Sequence, residues 1–202
     1  PRRRGGRGVG PAPLAFHLPA MNLPNALTLL RLLLVPLLIY LLHEGAYGVA
    51  LGVFLLAGLT DAADGFVAKR FRQQTELGKV LDPVADKALV VSLYISLAWL
   101  GWIPFWLVVA VVARDGIIVV GALGYHYLTG ALEMVPTLLS KANTALQLGF
   151  VALVLVDAAA AVDLGAARTG LAWAVLLSTV ASGVQYIVVW LGKALAHEEG
   201  KP

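Results

Sequence analysis

Six apolar stretches joined by short polar connections make up most of the chain from residue 21 onward. They cover approximately 25–42, 46–70, 80–99, 104–127, 136–161 and 168–192. Each is close to the length of about 20 residues that an α-helix needs to cross the hydrocarbon core of a bilayer. The chain shows neither a strand-like alternation of apolar and polar residues nor an obvious internal repeat. The pattern therefore predicts an all-α integral membrane bundle of six transmembrane helices.

The composition supports a membrane protein. The chain has 202 residues, of which 59% are hydrophobic and 13% are charged, and its mean hydropathy is +0.83. Soluble domains carry about 25% charged residues, and one soluble core cannot absorb this much apolar surface. Because cysteine is absent from the sequence, disulfides and thiolate metal sites are excluded.

Three regions follow from the same pattern. Residues 1–20 are rich in Arg, Gly and Pro and are expected to form a disordered basic tail. Met21 resembles a natural start, so this tail is either an extended start or not native. Residues 21–193 form one predicted membrane domain, and residues 194–202 form a polar C-terminal tail.

The distribution of cations predicts the orientation in the membrane. An even number of spans places both termini on one side, and the positive-inside rule assigns that side to the cytoplasm. The connections on the other side, at about 43–46, 100–103 and 162–168, contain a single Lys or Arg residue, Arg168. The cations of the termini and of the second connection are Arg2, Arg3, Arg4, Arg7, Lys69, Arg70, Arg72, Lys79, Lys193 and Lys201. We therefore expect cytoplasmic termini, as in a multi-pass protein of a bacterial-type inner membrane.

Four carboxylates in residues 61–86 form two pairs, Asp61 with Asp64 and Asp82 with Asp86. Spacings of three and four residues place each pair on one helix face, so two adjacent helices would bring all four together. Two like charges in contact repel by about 4 kcal/mol at an effective dielectric near 20. Such a cluster needs a compensating cation, and an all-oxygen ligand set favours Mg²⁺ or Mn²⁺.

Small residues and cations are interleaved with these acids, which favours a diphosphate ester as the ligand over a bare ion. The small residues are Gly65, Ala68 and Gly78, and the cations are Lys69, Arg70, Arg72 and Lys79. A purely structural cluster of ion pairs is the alternative. A divalent-ion transporter is the alternative from another class, but its acids would be spread along a path through the membrane.

The complete spacing resembles the signature of the CDP-alcohol phosphotransferases, integral membrane enzymes that transfer a phosphatidyl group from CDP-diacylglycerol to an alcohol. The resemblance is carried by Asp61-x-x-Asp64-Gly65-x-x-Ala68-Lys69, then eight residues, then Gly78-x-x-x-Asp82-x-x-x-Asp86. Lys69 stands where the family usually has Arg, which keeps the charge but loses the bidentate fork.

The resemblance implies two divalent ions held by Asp61, Asp64, Asp82 and Asp86, with Asp86 also acting as the general base. It further implies a homodimer and a CDP-diacylglycerol pocket formed by Asn25, Thr28, Gly65, Ala68, Lys69, Thr75 and Gly78. Thr75 has an alternative role as a helix N-cap before Glu76. Arg31 is expected either to snorkel and cap its helix or to lie beside the nucleotide.

Arg114 and Lys141 fall inside apolar stretches, where a lipid-facing cation costs about 2.5–3.5 kcal/mol on insertion scales. We therefore expect both to face the bundle interior, as a pocket for the acceptor's phosphate or in purely structural pairing. A salt bridge between Arg114 and Asp115 is not expected, because adjacent helical residues diverge by about 100°. Arg70 and Lys87 are weaker candidates for the same pocket.

Within the family, the chain most resembles phosphatidylglycerophosphate synthases. The residues concerned are Asn22–Asn25, Leu81–Lys87, Arg114 and the stretch Pro136…Ser140-Lys141…Thr144. This resemblance implies transfer to sn-glycerol 3-phosphate, giving phosphatidylglycerophosphate and CMP in phospholipid biosynthesis. The alternative acceptors are inositol phosphate, serine, and phosphatidylglycerol, which would give cardiolipin.

Two further expectations concern packing between helices. Gln147 and Gln185 are single polar residues expected to form interhelical hydrogen bonds. The small residues of the fourth and sixth segments are expected to allow close helix packing within or between subunits. They are Gly116, Gly121, Ala181, Ser182 and Gly183.

Overall fold

The structure, a computed structural model, describes residues 23–71, 76–129, 137–160 and 163–199. Side chains are described within these ranges for 28–60, 84–122, 124, 137–160 and 163–192. The described residues form six α-helices and the turns between them. The helices are α1 (Leu23–His43), α2 (Tyr47–Phe71), α3 (Glu76–Trp99), α4 (Phe105–Thr129), α5 (Leu138–Ala160) and α6 (Gly165–Glu199).

Each predicted apolar segment corresponds to one helix, which confirms the all-α fold. Two boundaries lie beyond the apolar pattern. α3 begins at Glu76 rather than near 80, and an acidic residue in a first turn is favoured by the helix dipole. α6 continues through Glu199, because the polar stretch after Gly192 is rich in strong helix formers. The apolar pattern thus locates the membrane spans, whereas helix propensity and capping determine the residues at which the helices begin and end.

Three helices are long and apolar enough to cross a membrane within the described part of the chain. Their apolar portions are Phe105–Ala122, Leu138–Ala160 and Gly165–Gly192. α1 and α2 contain shorter apolar portions, Thr28–His43 and Tyr47–Thr60. The membrane class is supported by these spans, and the six-span arrangement stays a prediction.

The six helices close into a ring. α1 packs against α2 and α3, α4 packs against α3 and α6, and α5 packs against α6 and α2. α3 also contacts α5 across the ring. Since α1 and α5 each touch both α2 and α3, the two helices that carry the acidic motif are held by the same neighbours.

The interior of the ring divides into an apolar half and a polar half. Large side chains fill the apolar half and are almost completely buried; they include Leu38, Leu42, Leu93, Tyr94, Leu97, Leu107, Val111, Phe150, Val154 and Val175. Most buried polar residues occupy the other half: Thr28, Arg31, Arg114, Ser140, Asn143, Gln147, Thr179 and Ser182; the buried polar residues Ser96 and Asp157 lie toward the apolar end. Asp86, the last acid of the motif, belongs to α3 on this polar side.

Two glycine turns and an ion pair close the apolar end. Gly45 and Gly101 follow α1 and α3 with φ values of 72° and 77°, a left-handed conformation that glycine adopts without steric cost. Arg168 Nη1 lies 3.1 Å from Asp157 Oδ2, which joins the ends of α5 and α6. The Arg168 guanidinium also lies 5.5 Å from the ring centre of Trp102, in the connection between α3 and α4. This end is therefore held by specific contacts at a distance from the acidic motif.

Candidate functional site

Arg31 and Asp86 form an ion pair between α1 and α3 at the polar half of the ring. The Arg31 side chain is 3% exposed, whereas that of Asp86 is 49% exposed. Thr28, one turn before Arg31, is also buried. Asp86 therefore has one side held by protein and one side accessible, a geometry that a proton acceptor or a metal ligand requires.

Arg114 is buried among α4, α5 and α6, which confirms that it faces the bundle interior. Its Nε and Nη2 atoms donate to Ser182 Oγ, at 3.2 Å and 2.9 Å, and Nη2 also donates to Ser140 Oγ. The guanidinium lies 5.8 Å from the ring centre of Tyr186. These contacts place a fixed positive charge beside two hydroxyl groups, which are suitable partners for an anionic group.

The expectation that Arg114 and Asp115 form no salt bridge is wrong. Arg114 Nη1 lies 2.8 Å from Asp115 Oδ1, and Asp115 Oδ2 lies 2.9 Å from Lys87 Nζ of α3. Divergence of about 100° describes the Cβ directions of adjacent residues, but a long Arg side chain can bend back across that angle. Lys87 also holds the Asp115 carboxylate from the α3 side. The result is a three-residue charge cluster between α3 and α4.

Lys141 does not face the bundle interior, so that expectation is also wrong. It is exposed in the first turns of α5, while its neighbour Ser140 is buried against Arg114. Successive helical residues point in different directions, and only one of this pair can face inward. A Lys near a helix end also reaches polar surroundings without crossing the apolar core.

A series of hydrogen bonds continues from Arg114 along the interface of α5 and α6. Asn143 Oδ1 accepts from Ser178 Oγ at 2.8 Å and from Thr179 Oγ1 at 2.9 Å. Gln147 Nε2 donates to Thr179 Oγ1 at 3.4 Å, and Thr137 Oγ1 donates to Gln185 Oε1 at 2.9 Å. The predicted interhelical hydrogen bond is confirmed for Gln147, whereas Gln185 is bonded to Thr137, the residue before α5.

The predicted close packing of α4 and α6 is confirmed at Gly121, Ser182 and Gly183, but not at Gly116, where a Cβ would meet nothing within 4 Å, or at Ala181, which is exposed. Gly183 lies beneath Arg114, whose Cγ would be 3.7 Å from a Cβ added at that glycine. A Cβ added at Gly121 would lie 2.6 Å from Cδ1 of Trp190. The absence of a side chain at Gly121 therefore lets α4 approach Trp190 of α6 this closely, whereas the distance at Gly183 is an ordinary van der Waals contact.

Two adjacent residues of α3 connect the ion pair at Arg31 with the charge cluster around Arg114. Asp86 contacts Arg31 on one side, and Lys87 contacts Asp115 on the other. The structure thus brings Thr28, Arg31, Asp86, Lys87 and Arg114 to one half of the ring. Sequence reasoning did not find the pairs Arg31–Asp86 and Lys87–Asp115. A charge inside an apolar segment signals that a partner exists, but it does not identify which one.

The remaining predicted site residues have side chains outside the described part. Asp61, Asp64, Gly65, Ala68, Lys69 and Arg70 belong to α2, Gly78 and Asp82 belong to α3, and Asn25 belongs to α1. Thr75 lies outside the described residues altogether, although the start of α3 at Glu76 agrees with its N-cap alternative. Both acidic pairs fall within helices, as their spacing requires.

Comparison with known proteins provides independent information on the family. The sequence profile of CDP-alcohol phosphatidyltransferases matches residues 21–194. A Rattus norvegicus protein named cardiolipin synthase (CMP-forming) is 40% identical over 147 residues, which is 65% of this chain and 49% of that protein. A Schizosaccharomyces pombe protein, named a fusion of cardiolipin synthase (CMP-forming) with a mitochondrial hydrolase, is 35% identical over 183 residues, 83% of this chain and 31% of that protein.

A third relative carries a different name. A Mycobacterium tuberculosis H37Rv protein named probable phosphatidylglycerophosphate synthase is 41% identical over 100 residues, 46% of this chain and 48% of that protein. The chain spans half or less of the length of each of these relatives. The profile match covers most of the chain and includes all four aspartates of the motif. The chain therefore belongs to the CDP-alcohol phosphatidyltransferase family.

Proposed function

We propose that this protein transfers the phosphatidyl group of CDP-diacylglycerol to phosphatidylglycerol, forming cardiolipin and releasing CMP. The observation that supports this acceptor is the extent of the matches to relatives named cardiolipin synthase (CMP-forming). The rat and fission-yeast proteins match 65% and 83% of the chain, and these matches extend well beyond the acidic motif. This acceptor is the cardiolipin alternative of the sequence analysis.

Transfer to sn-glycerol 3-phosphate is the second candidate. It is supported by the sequence resemblance and by the 41% identity to the mycobacterial protein named probable phosphatidylglycerophosphate synthase. That match covers 46% of the chain, less than the matches to the rat and fission-yeast proteins. Inositol phosphate is kept as a control acceptor.

Asp86 and Arg114 have complementary roles in this proposal. Asp86 accepts the proton of the acceptor hydroxyl, whose oxygen attacks the lipid-side phosphorus while CMP leaves. Arg114, with the hydroxyls of Ser140 and Ser182, binds the phosphate of the acceptor. Lys141 and Arg70 add positive charge for the same phosphate. Lys87 affects the pocket through its ion pair with Asp115.

The remaining motif residues bind the nucleotide-activated lipid and its ions. The residues proposed for CDP-diacylglycerol are Asn25, Thr28, Gly65, Ala68, Lys69, Thr75 and Gly78. Asp61, Asp64, Asp82 and Asp86 would hold two Mg²⁺ or Mn²⁺ ions, for which an all-carboxylate set is suitable. The half exposure of Asp86 fits this assignment, because a metal ligand must be accessible. When bound, such ions stabilise the negative charge of the diphosphate and of the departing CMP.

The membrane arrangement is part of the same proposal. Six spans would place both termini and the polar half of the ring at the cytoplasmic side, in a homodimer. Cysteine substitution and labelling from each side of sealed vesicles tests this orientation. Labelling of residue 193 only from the side opposite residue 44 is the expected result.

The decisive experiment measures product formation by the purified full chain. CDP-diacylglycerol and Mg²⁺ or Mn²⁺ are incubated separately with phosphatidylglycerol, sn-glycerol 3-phosphate and inositol phosphate, and CMP and lipid products are quantified. Cardiolipin formation with phosphatidylglycerol is expected. If phosphatidylglycerophosphate is the only product, the acceptor is sn-glycerol 3-phosphate rather than phosphatidylglycerol. If no CMP is released with any of the three acceptors, the enzyme assignment is rejected.

A further inference from the structure

Asp115 uses both carboxylate oxygens to hold cations from two helices. Oδ2 lies 2.9 Å from Lys87 Nζ of α3, and Oδ1 lies 2.8 Å from Arg114 Nη1 of α4. The side chain of Asp115 is 15% exposed, so water screens these contacts only in part. Asp115 therefore lowers the net positive charge of the proposed acceptor pocket and fixes the orientation of the Lys87 and Arg114 side chains.

The contacts of Arg114 restrict what its guanidinium can offer to a ligand. Arginine has five N–H donors in a planar fork. In the described contacts, Nε and Nη2 are used by Ser182 and Ser140, and Asp115 takes one donor of Nη1. One donor on Nη1 is left, so Arg114 in this orientation cannot grip a phosphate with two parallel hydrogen bonds.

The net charge of the cluster also limits which phosphate it can bind. Two cations share one carboxylate, so Lys87, Arg114 and Asp115 together keep a single positive charge. A phosphodiester carries one negative charge, whereas a phosphomonoester carries about −1.5 to −2 at pH 7. The partly buried cluster therefore matches the charge of a phosphodiester and leaves part of the charge of a phosphomonoester without compensation, since the charge of exposed Lys141 is screened by water.

We infer that Asp115 is a specificity-determining residue that makes the acceptor pocket select phosphodiesters over phosphomonoesters. This inference rests on the proposed function, in which the acceptor is phosphatidylglycerol. The residue acts through Lys87 and Arg114 and does not itself contact the acceptor. Removing its charge leaves both cations without a carboxylate partner and raises the net positive charge of the cluster, which favours a doubly charged phosphate.

The test compares two soluble ligands that differ in phosphate charge and lack acyl chains. They are sn-glycerol 3-phosphate, a monoester, and glycerophosphoglycerol, the deacylated phosphodiester of phosphatidylglycerol. Their affinities for the purified full chain are read from the rise of the thermal unfolding midpoint with ligand concentration, which requires no turnover. The same ligands are then used as competitors of phosphatidylglycerol in CMP release.

Three variants separate charge from structure. Asp115→Asn is expected to shift the affinity ratio toward the monoester by about tenfold, whereas Asp115→Glu keeps the charge and should keep the wild-type ratio. Lys87→Met removes a cation and should shift the ratio in the opposite direction, which provides a test if Asp115→Asn does not fold. Asp157→Asn is the matched control, since Asp157 pairs with Arg168 at the apolar end. It should not change the ratio.

The outcomes distinguish this inference from the proposed function. An unchanged ratio in folded Asp115→Asn, or an equal shift in Asp115→Glu, would overturn the role of Asp115 while cardiolipin formation by the wild type stands. If the wild type forms no cardiolipin, the proposed acceptor fails, and the binding ratios still decide what Asp115 selects. A wild-type protein that binds the monoester more tightly than the diester would overturn the inference directly.

Discussion

Arg31 on α1 donates a hydrogen bond to the carboxylate of Asp86 on α3, 55 residues further along the chain. The next residue, Lys87, contacts Asp115 on α4. α3 is therefore held from both sides at the position proposed for the general base. The same two contacts join the nucleotide side of the proposed site to its acceptor side.

Replacing Arg31 tests whether this contact orients Asp86. Arg31→Ala should lower the free energy of unfolding by about 1–2 kcal/mol, because a charged hydrogen bond is lost while half-exposed Asp86 regains water. The rate of CMP release should fall more than this loss of stability explains. Thermal unfolding and CMP release on the same preparations check both effects. Arg31→Lys, which keeps the charge, should recover more activity than Arg31→Gln; equal activity in all three would show that Arg31 has only a packing role.

Asp82→Asn tests the proposed metal site. Loss of one carboxylate from the four should nearly abolish CMP release while the protein still folds, because the proposed ions would lose one of their ligands. The variant should also lose the stabilisation that Mn²⁺ gives to the wild type in thermal unfolding. Wild-type turnover in Asp82→Asn would refute the metal assignment. The control is Asp163→Asn, at an exposed position after the apolar end of α5.

Arg114 and Lys141 are expected to contribute unequally to binding of the acceptor. Arg114 is buried with four hydrogen bonds, so Arg114→Gln should raise the KM for the acceptor by at least about tenfold. Lys141 is exposed, and Lys141→Ala should raise the same KM by a smaller factor. Steady-state kinetics with each substrate varied in turn checks this order. An effect of Lys141→Ala confined to the KM for CDP-diacylglycerol would place this lysine in the other pocket.

Gly121 and Gly124 offer a matched pair on α4. A Cβ at Gly121 would lie 2.6 Å and 2.7 Å from two atoms of the Trp190 ring, whereas nothing lies within 4 Å of a Cβ at Gly124. Gly121→Ala should therefore destabilise the protein by about 1–3 kcal/mol through overpacking of α4 against α6. Gly124→Ala should be neutral or stabilising by up to about 1 kcal/mol, because Ala favours helix. Unfolding midpoints measured in one detergent compare the two; equal midpoints would contradict the close contact.

The sequence alone determined the helices and the family. Apolar segments of nearly uniform length specify six helices, because only a helix satisfies its own backbone hydrogen bonds in an apolar environment. The spacing of Asp61, Asp64, Asp82 and Asp86 resembles the family signature, and the cost of acids in an apolar chain indicates independently that they have a function. Both conclusions depend on local pattern and composition, which are properties of the linear chain.

Only the tertiary structure decided how the charged residues are paired. It placed Arg31 against Asp86, brought Lys87 to Asp115, and left Lys141 outside the interior that Ser140 and Arg114 share. Sequence spacing cannot specify these pairs, because they depend on which helices become neighbours and on how each helix is rotated about its axis. A long side chain such as that of Arg114 also reaches partners that the direction of its Cβ does not indicate. The sequence thus specified which charges are present, and the arrangement of the ring specified what each one contacts.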